Sequence, residues 1–301
     1  MKSILRKVKI TSQLGGRPPA AVEITPEGVL AASLTKPGHP PEYAFAELPA
    51  GALAASIAEP NLRMQEEVVK ALRKALGDVS PRTRAVTVIL PDTVVRVFML
   101  DFDSMPSRTA EAHSVLRFRL RKMVPFDTER AGIGYQILAQ NKEECRVLVT
   151  VIPGPILAEY EGAVRSAGYE PGAVLPSSLA ALETVDATEA VLTANLSGTA
   201  LTTSITSGQD LLLHRILELP EDRNLRISEI QRSIAVAAAY FEDKLQVPPR
   251  TLHYAGSYEA REFAQWIEAS ELKVVHLVEQ PGKTAWQTSV AGVTGALVGS
   301  R

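Results

Sequence analysis

Two similar stretches decide how this chain folds: AAVEITPEGVLAASLT at residues 20–35 and VLTANLSGTALTTSIT at residues 191–206. In each stretch, two runs rich in Val, Ile, Leu and Thr flank a short turn, and these residue types favour strands. The turns are Pro26-Glu27-Gly28 and Ser197-Gly198-Thr199. Each stretch therefore predicts a β-hairpin.

The same order of elements follows each predicted hairpin. Hydrophobic periodicity predicts a third strand, a helix and a further strand at 43–48, 61–76 and 85–90, and again at 211–219, 227–246 and 251–255. The second passage continues with a helix, a strand and a final helix, at 259–270, 273–278 and 290–298. This repetition predicts two related halves of α/β type.

The residues between the halves predict an inserted subdomain. A strand at 93–101 precedes a helix at 107–123, for which Ser107 is the expected N-cap. Two further strands are predicted at 135–140 and 145–152, and a helix is predicted at 155–167. The insert therefore has the order strand, helix, strand, strand.

The composition limits the classes of function. The 301 residues include 32 Lys and Arg against 34 Asp and Glu, a net charge of −2 that exerts no general attraction on nucleic acid. The single cysteine, Cys145, excludes a disulfide framework and a cysteine-based metal site. The uncharged segment 190–209 carries nine Ser, Thr or Asn residues, too many for a lipid-facing helix, so we expect no membrane insertion.

Two features of the sequence are candidates for binding. The tight turns of the hairpins can present backbone N–H groups to an anion, and an acidic residue before such a turn can hold hydrated Mg²⁺. In the helix at 107–123, Arg117 and Arg121 are four residues apart and share a face. Two interpretations of this basic helix stay open, a solvated surface and a ledge for an acidic partner or anionic lipid. Its basic residues are Arg108, Arg117, Arg119, Arg121 and Lys122.

Several short motifs occur in an order that is typical of one family. They are Val88-Ile89-Leu90-Pro91, then Met123-Val124-Pro125-Phe126-Asp127, then Gly134-Tyr135-Gln136-Ile137-Leu138, the helix running from Ile227 to Tyr240-Phe241, and the tail from Thr294 to Arg301. On these motifs the chain resembles the PilM family of type IV pilus assembly proteins, actin-like relatives of FtsA. The likeness covers residues 85–301 well and residues 20–35 weakly.

The resemblance implies an α/β, actin-like (ribonuclease-H-like) fold, in which two lobes face a nucleotide cleft. Residues 1–92 and 170–186, with the final helix at 289–301, would form the first lobe. Residues 93–169 would form the inserted subdomain, with the order strand, helix, strand, strand. Residues 187–288 would form the second lobe.

The resemblance also places the nucleotide motifs, and the chain departs from each of them. In the first hairpin, Thr25 replaces a glycine where phosphate must approach, and Pro26 removes an N–H donor. In the second hairpin, an amide at Asn195 replaces a carboxylate. The residues that the resemblance assigns to this degenerate cleft are Glu23, Thr25, Asn195, Ser197, Gly198, Thr199, Gly256 and Ser257. We therefore predict a pseudo-ATPase with no catalytic residues, no metal site of its own and no cofactor, although the resemblance allows ATP with Mg²⁺.

Family members bind the cytoplasmic N-terminal tail of the membrane protein PilN in a groove between the first lobe and the insert. The corresponding partner contacts expected here are Arg117, Arg121, Phe126 and Tyr135, and the alternative for Phe126 and Tyr135 is packing in a core between insert and lobe. The resemblance implies a cytoplasmic scaffold that lies at the inner membrane through its partner and also meets pilus motor ATPases. The alternatives are a type II secretion component, an active ATPase or phosphotransferase, and an α/β protein whose likeness is only architectural.

Overall fold

The computed structural model describes residues 16–35, 39–141, 143–186, 188–208, 210–279 and 288–298. Its strands are β1 (Ala20–Ile24), β2 (Gly28–Ser33), β3 (Glu42–Glu47), β4 (Ala85–Leu90), β5 (Arg96–Phe102), β6 (Gly132–Gln140), β7 (Cys145–Ile152), β8 (Glu170–Pro176), β9 (Ala190–Ser197), β10 (Ala200–Ser207), β11 (Asp210–Glu218), β12 (Thr251–Gly256) and β13 (Lys273–His276). Its helices are α1 (Gln65–Val79), α2 (Thr109–Leu120), α3 (Gly154–Ser166), α4 (Ser177–Leu182), α5 (Arg223–Leu245), α6 (Ala260–Trp266) and α7 (Ala291–Val298).

The first lobe is a five-stranded sheet with the order β3-β2-β1-β4-β8 and helices on both faces. Strands β1 and β2 are buried along their whole length, as expected for strands covered on both sides. Helices α1 and α3 pack on one face of the sheet, and α4 and α7 pack on the other. The close packing of α7 on α4 requires Gly295, because a Cβ there would lie 1.8 Å from the Ala180 carbonyl oxygen.

The second lobe repeats this arrangement, with the order β11-β10-β9-β12-β13. In both sheets the hairpin strands pair antiparallel, and the first strand pairs parallel with the strand that follows the helix. The long helix α5 begins at Arg223, and its N-cap is Asp222, whose side chain accepts the N–H groups of Asn224 and Leu225. The prediction of two related α/β halves is therefore confirmed.

The insert is the antiparallel sheet β5-β7-β6, with α2 packed on one face. Ala112, Leu116 and Leu120 are the buried residues of α2, and Cys145 is buried beside them. The helix begins at Thr109 with Arg108 at its N-cap, so Ser107 is not the cap that the sequence predicted.

Helix α3 packs in the core of the first lobe, whereas the sequence division counted it with the insert. The fully buried Tyr160 donates its hydroxyl to Asn61 Oδ1 at 3.1 Å, which ties α3 to the loop before α1. The division of the chain into three units otherwise stays a prediction. Residues 1–15, 280–287 and 299–301 of the predicted lobes lie outside the described residues.

Two elements were not predicted from the sequence, β8 and α4. Strand β8 contains Pro171, Gly172 and Pro176, which disrupt the strand pattern, and α4 is only six residues long. None of the helices among the described residues is long and apolar enough to span a membrane.

Candidate functional site

The hairpin turns of the two lobes meet at the seam between the lobes. Gly198, in the β9–β10 turn, has a φ of +52°, a left-handed conformation that glycine adopts without strain. A Cβ added to Gly198 would lie 3.6 Å from Glu27 Oε1 and 3.9 Å from Pro26 Cγ in the β1–β2 turn, so the two turns lie close together. On its other side, the Gly198 carbonyl accepts a hydrogen bond from Arg226 Nη2 at 2.9 Å.

A cavity of about 20 Å³ remains between the turns. It is large enough for about one water molecule, whereas sites for small molecules and cofactors usually measure ~300–1,000 Å³. Glu23 and Glu27 are its charged residues, and no Lys or Arg is among the described residues that line it. Its described lining is Glu23, Thr25, Glu27, Ser177, Asn195, Leu196, Ser197, Gly198, Ser257, Thr288, Ser289 and Gly292. Among the described residues, this lining therefore offers no cation and little room for a triphosphate.

Glu23 lies on β1 at the base of the cavity. Its Oε1 accepts the Ser177 hydroxyl at 2.6 Å, while its buried Oε2 has no hydrogen-bond partner among the described residues. Gly292 lets α7 approach this oxygen, because a Cβ there would lie 2.6 Å from Oε2. Burial, and to a smaller extent the charges of Asp92 and Glu27, raise the pKa of Glu23 to about 7, against the opposing effect of the Ser177 hydrogen bond. Glu23 is therefore an acid that can change its charge near neutral pH.

The first hairpin turn uses its own hydrogen-bond donors internally. The Thr25 N–H and the Thr25 hydroxyl both donate to the Gly28 carbonyl, at 2.9 and 3.1 Å. The Gly28 N–H donates back to the Thr25 carbonyl at 3.2 Å, and Pro26 has no N–H to offer. These three residues present no backbone N–H to a phosphate in the cleft.

A buried carboxylate, Asp92, joins the two lobes beside this cavity. It follows β4 of the first lobe, and its Oδ1 accepts the backbone N–H and the hydroxyl of Ser178, at 3.0 and 2.9 Å. Its Oδ2 accepts the hydroxyl of Thr202, on β10 of the second lobe, at 2.6 Å. The two donor residues, Ser178 and Thr202, are buried, and the low dielectric constant of their surroundings strengthens these charge-assisted hydrogen bonds.

His214, on β11, extends this network into the second lobe. Its Nδ1 lies 2.9 Å from Ser204 Oγ and its Nε2 lies 3.4 Å from Ser178 Oγ. Because the Ser178 hydroxyl donates to Asp92, the Nε2 atom is the donor to Ser178 and Nδ1 accepts from Ser204. Burial lowers the pKa of His214 to about 4, against the opposing effect of the Asp92 charge, so the imidazole is neutral at pH 7.

Asn195, on β9, makes the third connection across the seam. Its amide is satisfied with the nitrogen donating to the Ala255 carbonyl at 3.2 Å. Its oxygen then lies 3.2 Å from the Ser177 hydroxyl and 3.2 Å from the Ser178 N–H. The amide thus links β12 of the second lobe to the start of α4 in the first lobe.

The remaining predicted cleft residues have different surroundings. Ser197 and Ser257 line the cavity, whereas Thr199 is exposed and its carbonyl accepts the Leu219 N–H at 2.7 Å. Gly256 makes room for a neighbouring aromatic ring, because a Cβ there would lie 2.2 Å from the hydroxyl oxygen of the buried Tyr254. Core packing is therefore sufficient to explain this glycine.

The four predicted partner contacts lie in the insert, away from the cavity. Phe126 and Tyr135 are partly buried against the core that α2 and the insert sheet share, and the Tyr135 ring meets His113 edge-on at 5.6 Å. Arg121 forms an exposed ion pair with Glu129 at 2.7 Å, and Arg117 Nε is buried with no hydrogen-bond partner on any residue that the structure describes.

Sequence reasoning did not find the residues that connect the lobes: Asp92, Ser177, Ser178, Thr202, Ser204 and His214. One signal was available, since five of the eight residues of β10 carry hydroxyl groups, Thr202 and Ser204 among them, in a strand that is mostly buried. A buried hydroxyl needs a partner, which the sequence alone could not identify.

Comparison with known proteins places the fold in a class. No protein-family model matches the chain, and no curated protein matches it. Solved structures do match, and together with the paired sheets they show an actin-like fold of two lobes around a cleft. The predicted fold class is therefore confirmed.

The matching structures include a chain of the PilM–PilN type IV pilus biogenesis complex, with a TM-score of 0.74 and 17% identity over 94% of this chain and 98% of that chain. A Bacteroides thetaiotaomicron protein with an actin-like ATPase fold has a TM-score of 0.55 and 12% identity, covering 93% and 94% of the two chains. The cytoplasmic domain of EpsL, an inner-membrane component of the Vibrio cholerae type II secretion system, has a TM-score of 0.52 and 11% identity, covering 93% of each.

The contact between Thr202 and Asp92 can be tested with a neighbouring threonine as control. Thr202→Val removes the donor at 2.6 Å and leaves a buried carboxylate oxygen short of a partner, so we expect the free energy of unfolding to fall by about 2–3 kcal/mol in urea titrations. Thr203→Val removes a buried hydroxyl that has no hydrogen-bond partner in the described part of the chain and should change stability little or raise it. Equal losses in the two variants would contradict the assigned network.

The raised pKa of Glu23 predicts a pH dependence of stability. The carboxyl group of Glu23 binds a proton more tightly in the folded chain than in the unfolded chain. Protonated Glu23 therefore stabilises the fold at low pH, and this stabilisation is lost as the pH rises through about 7. Glu23→Gln has no proton to lose at this site. Its free energy of unfolding, minus that of wild type, should therefore increase by on the order of 2–3 kcal/mol from pH 5 to pH 8 in urea unfolding. Glu47→Gln, at an exposed site in the same sheet, should keep the wild-type profile; parallel profiles for Glu23→Gln and wild type would refute the assignment.

Proposed function

We propose that this protein is a cytoplasmic, non-catalytic scaffold of a type IV pilus assembly platform and binds the N-terminal tail of a PilN-like membrane protein. The observation that carries the proposal is the likeness to a chain of the PilM–PilN complex over almost the full length of both chains. The tail would hold the scaffold at the inner membrane, where pilus motor ATPases are further candidate partners.

The state of the cleft supports a pseudo-ATPase. The hairpin turns lie close together, the described lining is acidic, and the remaining cavity has room for about one water molecule. Bonds from Asp92, Ser177 and Ser178 to the second lobe supply the connection between lobes that a bound nucleotide would otherwise make. A chain with these bonds does not need ATP to hold its lobes together.

The proposed docking site for the tail is the groove between the first lobe and the insert. Strand β5 is an edge of the insert sheet and pairs only with β7 among the described strands. An edge strand can accept an extended peptide through its free backbone groups, and side-chain pockets then select the sequence. Arg117 and Arg121, on the adjacent helix, would meet carboxylates of the tail.

A type II secretion component is the second candidate, based on the likeness to the EpsL cytoplasmic domain. Its TM-score of 0.52 is well below the 0.74 of the pilus protein, so we favour the pilus assignment. An active ATPase or phosphotransferase is disfavoured by the amide at Asn195 and by the closed, acidic cleft.

Nucleotide binding provides the first test. We expect isothermal titration of the full chain with Mg-ATP to show no binding in the low micromolar range, because the described cavity offers neither room nor cations for the phosphates. Colorimetric phosphate release should stay at the buffer rate. A low-micromolar dissociation constant or a catalysed rate would overturn the pseudo-ATPase proposal while leaving partner docking open.

Tail binding provides the second test. A fluorescent peptide comprising the cytoplasmic N-terminal tail of the PilN-like protein from the same organism should bind the full chain in anisotropy titrations. Arg121→Ala should weaken binding by about tenfold, through loss of a charge-assisted bond. Arg232→Ala, which removes another exposed, ion-paired arginine from the second lobe, should have no effect. No binding by wild type would reject the proposed partner.

A further inference from the structure

Helix α2 of the insert exposes an apolar face to solvent. Phe118 is 74% exposed, Val115 three residues before it is 36% exposed, and Met123, just after the end of the helix, is 39% exposed. The helix packs on the insert sheet through its opposite face, with Ala112, Leu116 and Leu120. Core packing therefore does not account for the apolar residues on the outer face.

Basic side chains surround this apolar face. The six residues from Arg117 to Lys122 contain four basic residues and no acidic one. Arg121 pairs with Glu129, whereas Arg119 and Lys122 form no ion pair with any described residue. At the beginning of the helix, Glu111 pairs with Arg108, so the excess positive charge is concentrated around Phe118.

We propose that this surface, formed by Val115, Phe118, Arg119, Lys122 and Met123, binds directly to the face of an anionic bilayer. Phe118 would enter the boundary between headgroups and acyl chains, while Arg119 and Lys122 would reach the lipid phosphates with their apolar stems lying along the interface. Charge complementarity selects an anionic surface over a neutral one.

The shape of the surface favours a bilayer over an acidic protein. The exposed side of a helix lying on a sheet is convex, and Phe118 stands out from it, whereas aromatic anchors of protein interfaces fill desolvated pockets. A projecting aromatic residue with basic neighbours suits a soft interface that it can enter. This contact goes beyond the proposed function, because the chain would touch the membrane without its protein partner.

Vesicle co-sedimentation of the full chain tests the proposal, with no partner protein present. Vesicles of phosphatidylcholine with ~30% phosphatidylglycerol should bind the chain at low ionic strength, and added salt should release it. Pure phosphatidylcholine vesicles should bind it poorly. Because one aromatic residue and a few charges give weak attachment, the titration should extend to millimolar lipid.

Matched variants identify the surface responsible. Arg119→Glu with Lys122→Glu should lower the partition coefficient onto anionic vesicles by about 30-fold or more. Lys70→Glu with Lys244→Glu makes the same change in net charge at exposed sites on α1 and α5 and should have little effect. Phe118→Ser should weaken binding, whereas Leu225→Ser, at another exposed apolar site, should not.

Two results would overturn the proposal. Failure of the wild-type chain to prefer anionic over neutral vesicles would reject a bilayer contact and leave the surface to an acidic protein. Equal losses in the α2 variants and in their controls would show that net charge, rather than this surface, drives binding. Circular dichroism melting should give wild-type stability for every variant, because all the changed side chains are exposed.

Discussion

A carboxylate removed from water must be compensated by its neighbours, and Asp92 draws its partners from both lobes of this protein. Ser178 from the first lobe and Thr202 from the second donate to the two oxygens of Asp92. If the lobes separated, the buried carboxylate of Asp92 would lose its short hydrogen bond from Thr202, and such a loss is costly in a low-dielectric interior. The Asp92 bonds therefore favour the relative position of the lobes that the structure shows, together with the bonds of Asn195 and His214 across the same seam.

The surroundings of the cleft agree with this account. Oε2 of Glu23 accepts no hydrogen bond from any described residue. Helix α7 approaches this oxygen closely only because residue 292 is glycine. The Thr25 turn satisfies its own donors, so little is left to recognise phosphate. A cleft of this kind favours a fixed platform, on which the outer surfaces of the insert are free to contact a peptide tail or a bilayer.

Much of the fold could be predicted from the sequence, because hairpins and amphipathic helices are encoded locally. The repeated hairpins and the α5 helix are examples, and their pairing into two like sheets was confirmed. The Asp92 network could not be predicted, since Ser178 and Thr202 lie 86 and 110 residues away along the chain. Gly256 shows that a sequence match can also mislead. Its position matches a nucleotide motif of the family, yet in the structure a Cβ at this glycine would collide with the ring of Tyr254.

The most direct test of the closed, nucleotide-independent cleft is the distance between the lobes in solution. Spin labels on Lys70→Cys in α1 and Asp243→Cys in α5 would report this distance by pulsed electron paramagnetic resonance. Both sites are exposed, whereas the native Cys145 is buried and should not be labelled. We expect one narrow distribution of the distance between the two labels, and millimolar Mg-ATP should leave it unchanged. A broad distribution that narrows or shifts when Mg-ATP is added would contradict it.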